Sequence, residues 1–462
     1  MKIKFGTDGW RAIIAKQYTV DNVARVSIAC GDWLNKKYKN ASVVIGYDTR
    51  FGGLLFAQTT ANILSSMGVK VYLSDSFVST PMVSMGVLNQ KASLGIVITA
   101  SHNPHTYNGF KLKGDFGGPL LSKDIQEVED LIPDNNPLNL DLLSDKNIIS
   151  VNLEEQYLKK ARQFFDLDSI EESNLNLVYD SMYGAGQRAI PNLLPSTTLL
   201  HCVNNPGFNG IAPEPIHRNL LELSNYIKEV KNVDCGLATD GDADRIGLYN
   251  SSGEFIDSHH LILLLIHYLV KYKKMTGKVV TAFSCSVKVA KLCEHYNLEH
   301  QIVKVGFKYV AEIMLNEDCL LGGEESGGVA IKGHIPERDG VWMGLVIWEY
   351  MAKSGKSIES LIQEVYDIVG EFAFERIDLH LDNQKKEEII EKCKVGFYNS
   401  FDDLKIERVE KTDGFKFYFD ENSWIMIRPS GTEPVLRTYA EAKTQKECFV
   451  ILDKVHKCLL KD

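Results

Sequence analysis

LGIVITASHN, residues 94–103, is apolar from Leu94 to Ile98 and polar from Ser101 onward. A short apolar, β-branched run that stops at turn-forming residues fits a strand buried on both faces, as in a parallel sheet covered by helices. Similar runs lie on either side of it. SVVIGYDT (42–49) and VKVYLSD (69–75) come before, and NLVYDSMYG (176–184) and CGLATDGDADR (235–245) come after. KVVTAFSCS (278–286), HQIVKVG (300–306) and CLLGGEESGG (319–328) make a third set. These runs end in Gly/Asp/Ser loops and are followed by helix-like stretches. The chain therefore reads as α/β, with mixed, largely parallel sheets in three loose copies of one unit.

Boundaries are expected where Pro, Asn, Gly and Ser gather. Such places are PDNNPLNLDLLSDKN (133–147), NSSGEF (250–255) and the stretch near Val369 and Gly370. Past the last of these, charged helical segments such as NQKKEEIIEKCK (383–394) and amphipathic strands such as GFKFYFD (414–420) suggest a smaller α+β domain. The expected domains are 1–147, 148–252, 253–368 and 369–462, because one hydrophobic core rarely serves so long a chain.

The 462 residues are 44% hydrophobic and 24% charged, the balance of a folded globular chain. A net charge of -10 argues against nucleic acid or an anionic membrane as partner, since both reward basic surfaces. The nine cysteines are odd in number and never spaced CxxC, so a reducing, cytoplasmic setting is expected rather than a disulfide framework. The start, MKIKFGTDGWRAII, shows no targeting signature. LILLLIHYLV (261–270) is too short to span a bilayer and reads as a core helix.

Ligands of open α/β sheets gather outside the carboxyl ends of the strands, and four unusual loops sit there. In TDGDADR (239–245), Asp240, Asp242 and Asp244 alternate, so their oxygens can converge on one hard cation such as Mg2+. An EF-hand loop also begins D-x-D-x-D, but its sixth and twelfth positions would be Gly and Glu, where Arg245 and Ser251 stand. A bare acidic turn is the plainer alternative, at the expense of three repelling charges. GGEESGG (322–328) sets Glu324, Glu325 and Ser326 between glycines, offering acceptors and a hydroxyl to a polyol, or forming only a flexible turn.

In RPSGTEPVLRTYAEA (428–442), Arg428, Ser430, Thr432 and the Gly431 amide could form a concave set of donors, with Arg437 as a second guanidinium gripping phosphate. The alternative is a proline-bounded turn with arginines in water. In TASHNPHTYNGFK (99–111), Ser101 lies outside any G-x-S-x-G elbow and could merely cap a helix. Beside a cation loop and a phosphate clamp, it makes a coherent carrier of a phosphoryl group.

These four loops, with GTDGWR near the start, resemble in order and spacing the α-D-phosphohexomutase family, which includes phosphoglucomutase and phosphomannomutase. The resemblance implies four domains around a central cleft, the last being smaller and mobile. It implies a mutase that interconverts hexose 1-phosphate and hexose 6-phosphate through a phosphoserine and a hexose 1,6-bisphosphate. Ser101 would be that phosphoserine, its phosphate touching one Mg2+ held by Asp240, Asp242 and Asp244. Glu324 and Ser326 would hold sugar hydroxyls, and Arg428, Ser430, Gly431, Thr432 and Arg437 the phosphate that is not transferred.

His102, Lys111, Arg11 and Arg245 match positions around the reacting oxygen, and Arg338 stands where phosphoglucomutases often have a basic residue. Arginine is a poor base, so Arg11 and Arg245 are assigned to charge stabilisation and Lys111 or His102 to proton transfer. Gly328 departs from the histidine that the bacterial dual-specificity and glucosamine members tend to carry after the SG of the sugar loop. Glucose phosphate is therefore expected first, mannose phosphate next and glucosamine phosphate last. The other readings are a metal-dependent sugar phosphatase and a silent phosphosugar-binding protein. The partner expected is a small sugar phosphate, and the protein a monomer or homodimer.

Overall fold

A computed structural model describes residues 2–6, 9–140, 145–429 and 435–461. The chain divides into two compact units, one of residues 1–280 and 306–362, the other of residues 281–305 and 363–462.

In the first unit, Leu94–Ile98 is buried at every position. It lies inside a six-stranded sheet whose order is 10–13, 107–114, 94–98, 42–47, 70–74, 148–151. The four strands from 94–98 to 148–151 run parallel, whereas 107–114 pairs antiparallel with both 94–98 and 10–13. Ile148–Val151, just past residue 147, adds to this first sheet. Both faces are covered. Helices Val20–Lys37 and Gly53–Ser66 share a core with Val43, Ile45, Leu94 and Ile96. Helix Thr80–Gln90 lies against the opposite face, where a Cβ at Gly95 would meet Val87 at 2.6 Å. Ser79 caps that helix through the Met82 amide, and Pro81 sits in its first turn, where a missing N–H removes no bond.

A second, five-stranded sheet has the order 255–256, 246–249, 235–239, 177–180, 198–200. Cys235–Thr239 is parallel to Leu177–Asp180 and antiparallel to Ile246–Tyr249. Cys319–Gly323 likewise pairs antiparallel with Val329–Ile331. Three loops thus share one local plan: a buried strand ends, the loop follows, and the chain returns antiparallel. That is the repetition visible in sequence. The expected core helix is Ser258–His267, buried through Leu261–His267. No described helix is long and apolar enough to cross a membrane.

The second unit carries an antiparallel five-stranded sheet in the order 373–380, 435–442, 424–429, 415–418, 408–410. Helices Asn383–Lys394 and Gln445–Leu460 cover one face through Ile389, Ile451 and Leu452. Trp424, Met426 and Tyr439 on the other face pack with Phe283.

Candidate active site

Ser101 lies in the loop between strands 94–98 and 107–114, with φ of +52°, a left-handed conformation that non-glycine residues seldom adopt. It is 1% exposed. Its hydroxyl donates to Asp240 Oδ2 at 2.8 Å, and His102 Nδ1 lies 3.3 Å from its Oγ. Burial, and then the cations Arg245, Arg11, Lys111 and Arg50, push the His102 imidazole well below its ordinary pKa, so it stays neutral. Arg11, on strand 10–13 opposite Gly109, donates to Asn103 Oδ1 at 2.7 Å.

The aspartate loop closes on this serine. A Cβ at Gly241 would lie 2.5 Å from the Ser101 carbonyl oxygen, so only glycine permits the approach. Asp240, Asp242 and Asp244 are buried, each with a ligand oxygen within 4.8 Å of the others. Asp240 Oδ1 accepts from the Asp244 and Arg245 amides at 2.8 and 3.0 Å. Lys111 Nζ donates to Asp242 Oδ2 and Asp244 Oδ2, Thr80 to Asp242 Oδ2, and Arg338 Nη2 lies 2.7 Å from Asp244 Oδ2. Burial, then the charges of Asp242 and Asp244, raise the Asp240 pKa. Burial works the same way on Asp242, but the Lys111 ammonium prevails and holds its carboxyl low.

Asp242 Oδ1 and Asp244 Oδ1 are buried and accept no hydrogen bond from any of the described residues. Carboxylate oxygens that converge, two of them unsatisfied, fit a hard divalent cation such as Mg2+.

The sugar-loop candidates gather around Arg338. Glu324 is buried and accepts from the Gly306 amide at 2.9 Å. Burial pushes its carboxyl up to about 7 against the pull of Arg338, whose Nη1 is 3.9 Å away. Ser326 is half-buried in the same loop. The chain neighbours of Arg338, which the sequence did not single out, are anchored on both sides: Glu337 pairs with buried Lys113 at 2.6 Å, while Asp339 accepts from the Trp342 amide and the Tyr157 hydroxyl. The polar stretch ERDG hinted at them. Arg50, Asp48 and Thr99 around the serine loop were also missed, although DTR follows a buried strand directly.

Of the predicted phosphate clamp, Arg428 and Arg437 belong to the second unit and face each other across strands 424–429 and 435–442. Like charges directly opposite in a ladder are unfavourable. Asp413 accepts from Arg428 Nε at 3.1 Å, and Asp378 stands opposite Arg437 on strand 373–380. Two guanidiniums held side by side suit an anion. Ser430, Gly431 and Thr432 lie outside the described residues.

Four family models match the chain: "Phosphoglucomutase/phosphomannomutase, alpha/beta/alpha domain I" over residues 2–138, domain II over 155–253, domain III over 257–369, and the C-terminal domain over 382–455. A "probable phosphoglucosamine mutase" of Methanosphaera stadtmanae is 31% identical, with 96% of this chain and 95% of that protein covered. A phosphoglucomutase of Staphylococcus haemolyticus is 27% identical over 95% of this chain and 90% of its own length. The crystal structure of a "putative phosphomannomutase" from Thermus thermophilus superposes with a TM-score of 0.89 at 30% identity, covering all of both chains.

Proposed function

The chain belongs to the phosphoglucomutase/phosphomannomutase family, and from that footing we propose that it interconverts hexose 1-phosphate and hexose 6-phosphate through phosphorylated Ser101 and a hexose 1,6-bisphosphate. As a member of that family it is a mutase, an intramolecular phosphotransferase of carbohydrate metabolism. One observation carries the assignment to Ser101: its buried hydroxyl lies 2.8 Å from Asp240, at the edge of a three-carboxylate cluster.

Mg2+ on Asp240, Asp242 and Asp244 would neutralise charge on the transferring group. The free hydroxyl of the sugar phosphate forms a bond to phosphorus while the bond from phosphorus to Ser101 Oγ breaks. The proton that the hydroxyl loses ends on the departing serine oxygen, and neutral His102, 3.3 Å from Oγ, is placed to relay it once the negative charge of the phosphoserine offsets the surrounding cations. Arg11, Arg245 and Lys111 place positive charge around the phosphoryl oxygens. The bisphosphate then presents its other end, and the second phosphoryl returns to Ser101 by the reverse step. Glu324, Ser326 and Arg338 serve the sugar hydroxyls, and Arg428, Ser430, Gly431, Thr432 and Arg437 grip the idle phosphate.

Glucose phosphate is the first sugar proposed, because the Glu324-Glu325-Ser326 form of the loop resembles that of phosphoglucomutases and Gly328 stands in place of a histidine. Glucosamine phosphate is the second reading, supported by the relative of that name and by the buried Glu324 carboxylate, a fitting partner for an ammonium. The test follows glucose 1-phosphate, Mg2+ and a trace of glucose 1,6-bisphosphate by phosphorus NMR, then repeats it with the mannose and glucosamine phosphates. The expected product is the 6-phosphate with little free phosphate. Free phosphate as the main product would support a phosphatase, and no turnover of any sugar would support a binding protein.

A further inference from the structure

We infer that Arg50 is a positioning residue of phosphoryl transfer: without touching the reacting atoms, its guanidinium fixes the backbone of the loop that presents Ser101. This rests on Ser101 being the phosphoryl carrier. A guanidinium has five N–H donors, and in Arg50 each has an acceptor. Nε donates to Asp48 Oδ2, Nη1 to the carbonyls of Pro104 and Tyr107, and Nη2 to those of Ser101 and Asn103, all between 2.5 and 3.1 Å. Four carbonyls within seven residues are thus tied to one rigid fork.

The other side of the loop is closed through the same carboxylate. Asp48 Oδ2 also accepts from the Thr99 hydroxyl at 2.6 Å, and Thr99 Oγ1 accepts from the Ser101 amide at 2.8 Å. Both backbone polar groups of Ser101 therefore belong to one ring: carbonyl to Arg50, Arg50 to Asp48, Asp48 to Thr99, Thr99 to the Ser101 amide. A left-handed φ at a residue with a Cβ persists only where the surroundings over-determine it, and this ring does so. Arg50 and Asp48 are buried, and the Phe208 ring covers the guanidinium at 4.9 Å.

Lysine at position 50 would keep the charge facing Asp48 but, as a single ammonium, could not span four carbonyls. Released from them, the serine oxygen would drift from Asp240, and displacements near 1 Å reduce transfer by about a hundredfold. The experiment loads the serine with hexose 1,6-bisphosphate and measures, in a single turnover, phosphoryl transfer per phosphorylated molecule to whichever of glucose, mannose and glucosamine 6-phosphate the parent turns over. Partial unfolding does not alter that constant. For Arg50→Lys the maximal rate should fall about 100-fold, with the half-saturating sugar concentration within about twofold of the parent's.

Thr99→Val, isosteric and lacking the hydroxyl that joins Asp48 to the Ser101 amide, should be about tenfold slower. It supplies the answer should the lysine variant fail to fold. A rate within about threefold of the parent in Arg50→Lys overturns the role given to Arg50, and the same result in Thr99→Val overturns the ring through which Arg50 and Asp48 hold the Ser101 amide. A parent that accepts no phosphoryl group on Ser101 would overturn the reading beneath it instead.

Discussion

A Cβ built on Gly328 falls 2.3 Å from Cδ and 2.9 Å from Cγ of Arg338. These are mid-stem atoms, so any side chain at position 328 must push the arginine aside. Arg338 links Asp244 (2.7 Å) to Glu324 (3.9 Å), the aspartate loop 239–245 to the glycine-flanked loop 322–328. Gly328→Ala is expected to free Arg338 from Asp244 and, by loss of one charge-assisted contact, to lower kcat/KM about tenfold or more. Steady-state kinetics on glucose and glucosamine phosphates check this, and a parent-like kcat/KM on both would contradict it.

The α/β pattern was legible because each buried strand is an uninterrupted apolar run, and the loops were legible because polarity changes where those runs stop. Ser101, the three aspartates, Lys111 and Arg245 stand within two such loops and a neighbouring strand. Arg50 was not legible: it acts on backbone carbonyls, which no side-chain motif records. The Lys113–Glu337 pair joins residues 224 positions apart, a closeness that only the folded chain creates.

Lys111 supplies the positive charge that Asp242 and Asp244 share, both sides being fully buried. Removing one partner of a buried pair costs about 3–5 kcal/mol. Lys111→Met should therefore lower the melting temperature in chelator, and added Mg2+ should raise it more in the variant than in the parent. Thermal scans with and without Mg2+ measure this, and equal Mg2+ shifts in the two proteins would argue against a cation at these carboxylates.

Arg428 and Arg437 oppose each other in the ladder, so a bound anion should relieve their repulsion. Inorganic phosphate should raise the melting temperature of the parent and leave Arg428→Ala little changed. The same variant should raise KM for sugar phosphate about 10- to 100-fold, the loss of one charged hydrogen-bond set. An unchanged KM would remove Arg428 from the clamp.

Glu441 lies buried in the second unit, its carboxyl pushed up to about 7, mainly by burial, which the Ser286 hydroxyl and the Lys416 and Lys288 charges only partly offset. Between about 4.5 and 7 the folded chain holds a proton that the unfolded chain has released, so this group adds stability as pH falls through that window. Above 7 the buried ionised form weakens the fold. Glu441→Gln should be more stable than the parent at pH 8 and flatten the pH dependence of the denaturant midpoint between pH 8 and pH 6 (about one transition's width). A variant less stable than the parent at pH 8 would mean that the ionised carboxylate is held favourably by its lysines.

The most direct measurement treats parent and Ser101→Ala with hexose 1,6-bisphosphate and reads intact mass and mutase rate together. The account predicts that the parent gains one phosphoryl group, located on Ser101 by peptide mapping. The variant should gain none and isomerise at least about a thousandfold more slowly, the scale of losing a nucleophile. A variant that isomerises as fast as the parent, or a parent phosphorylated at another residue, would contradict it.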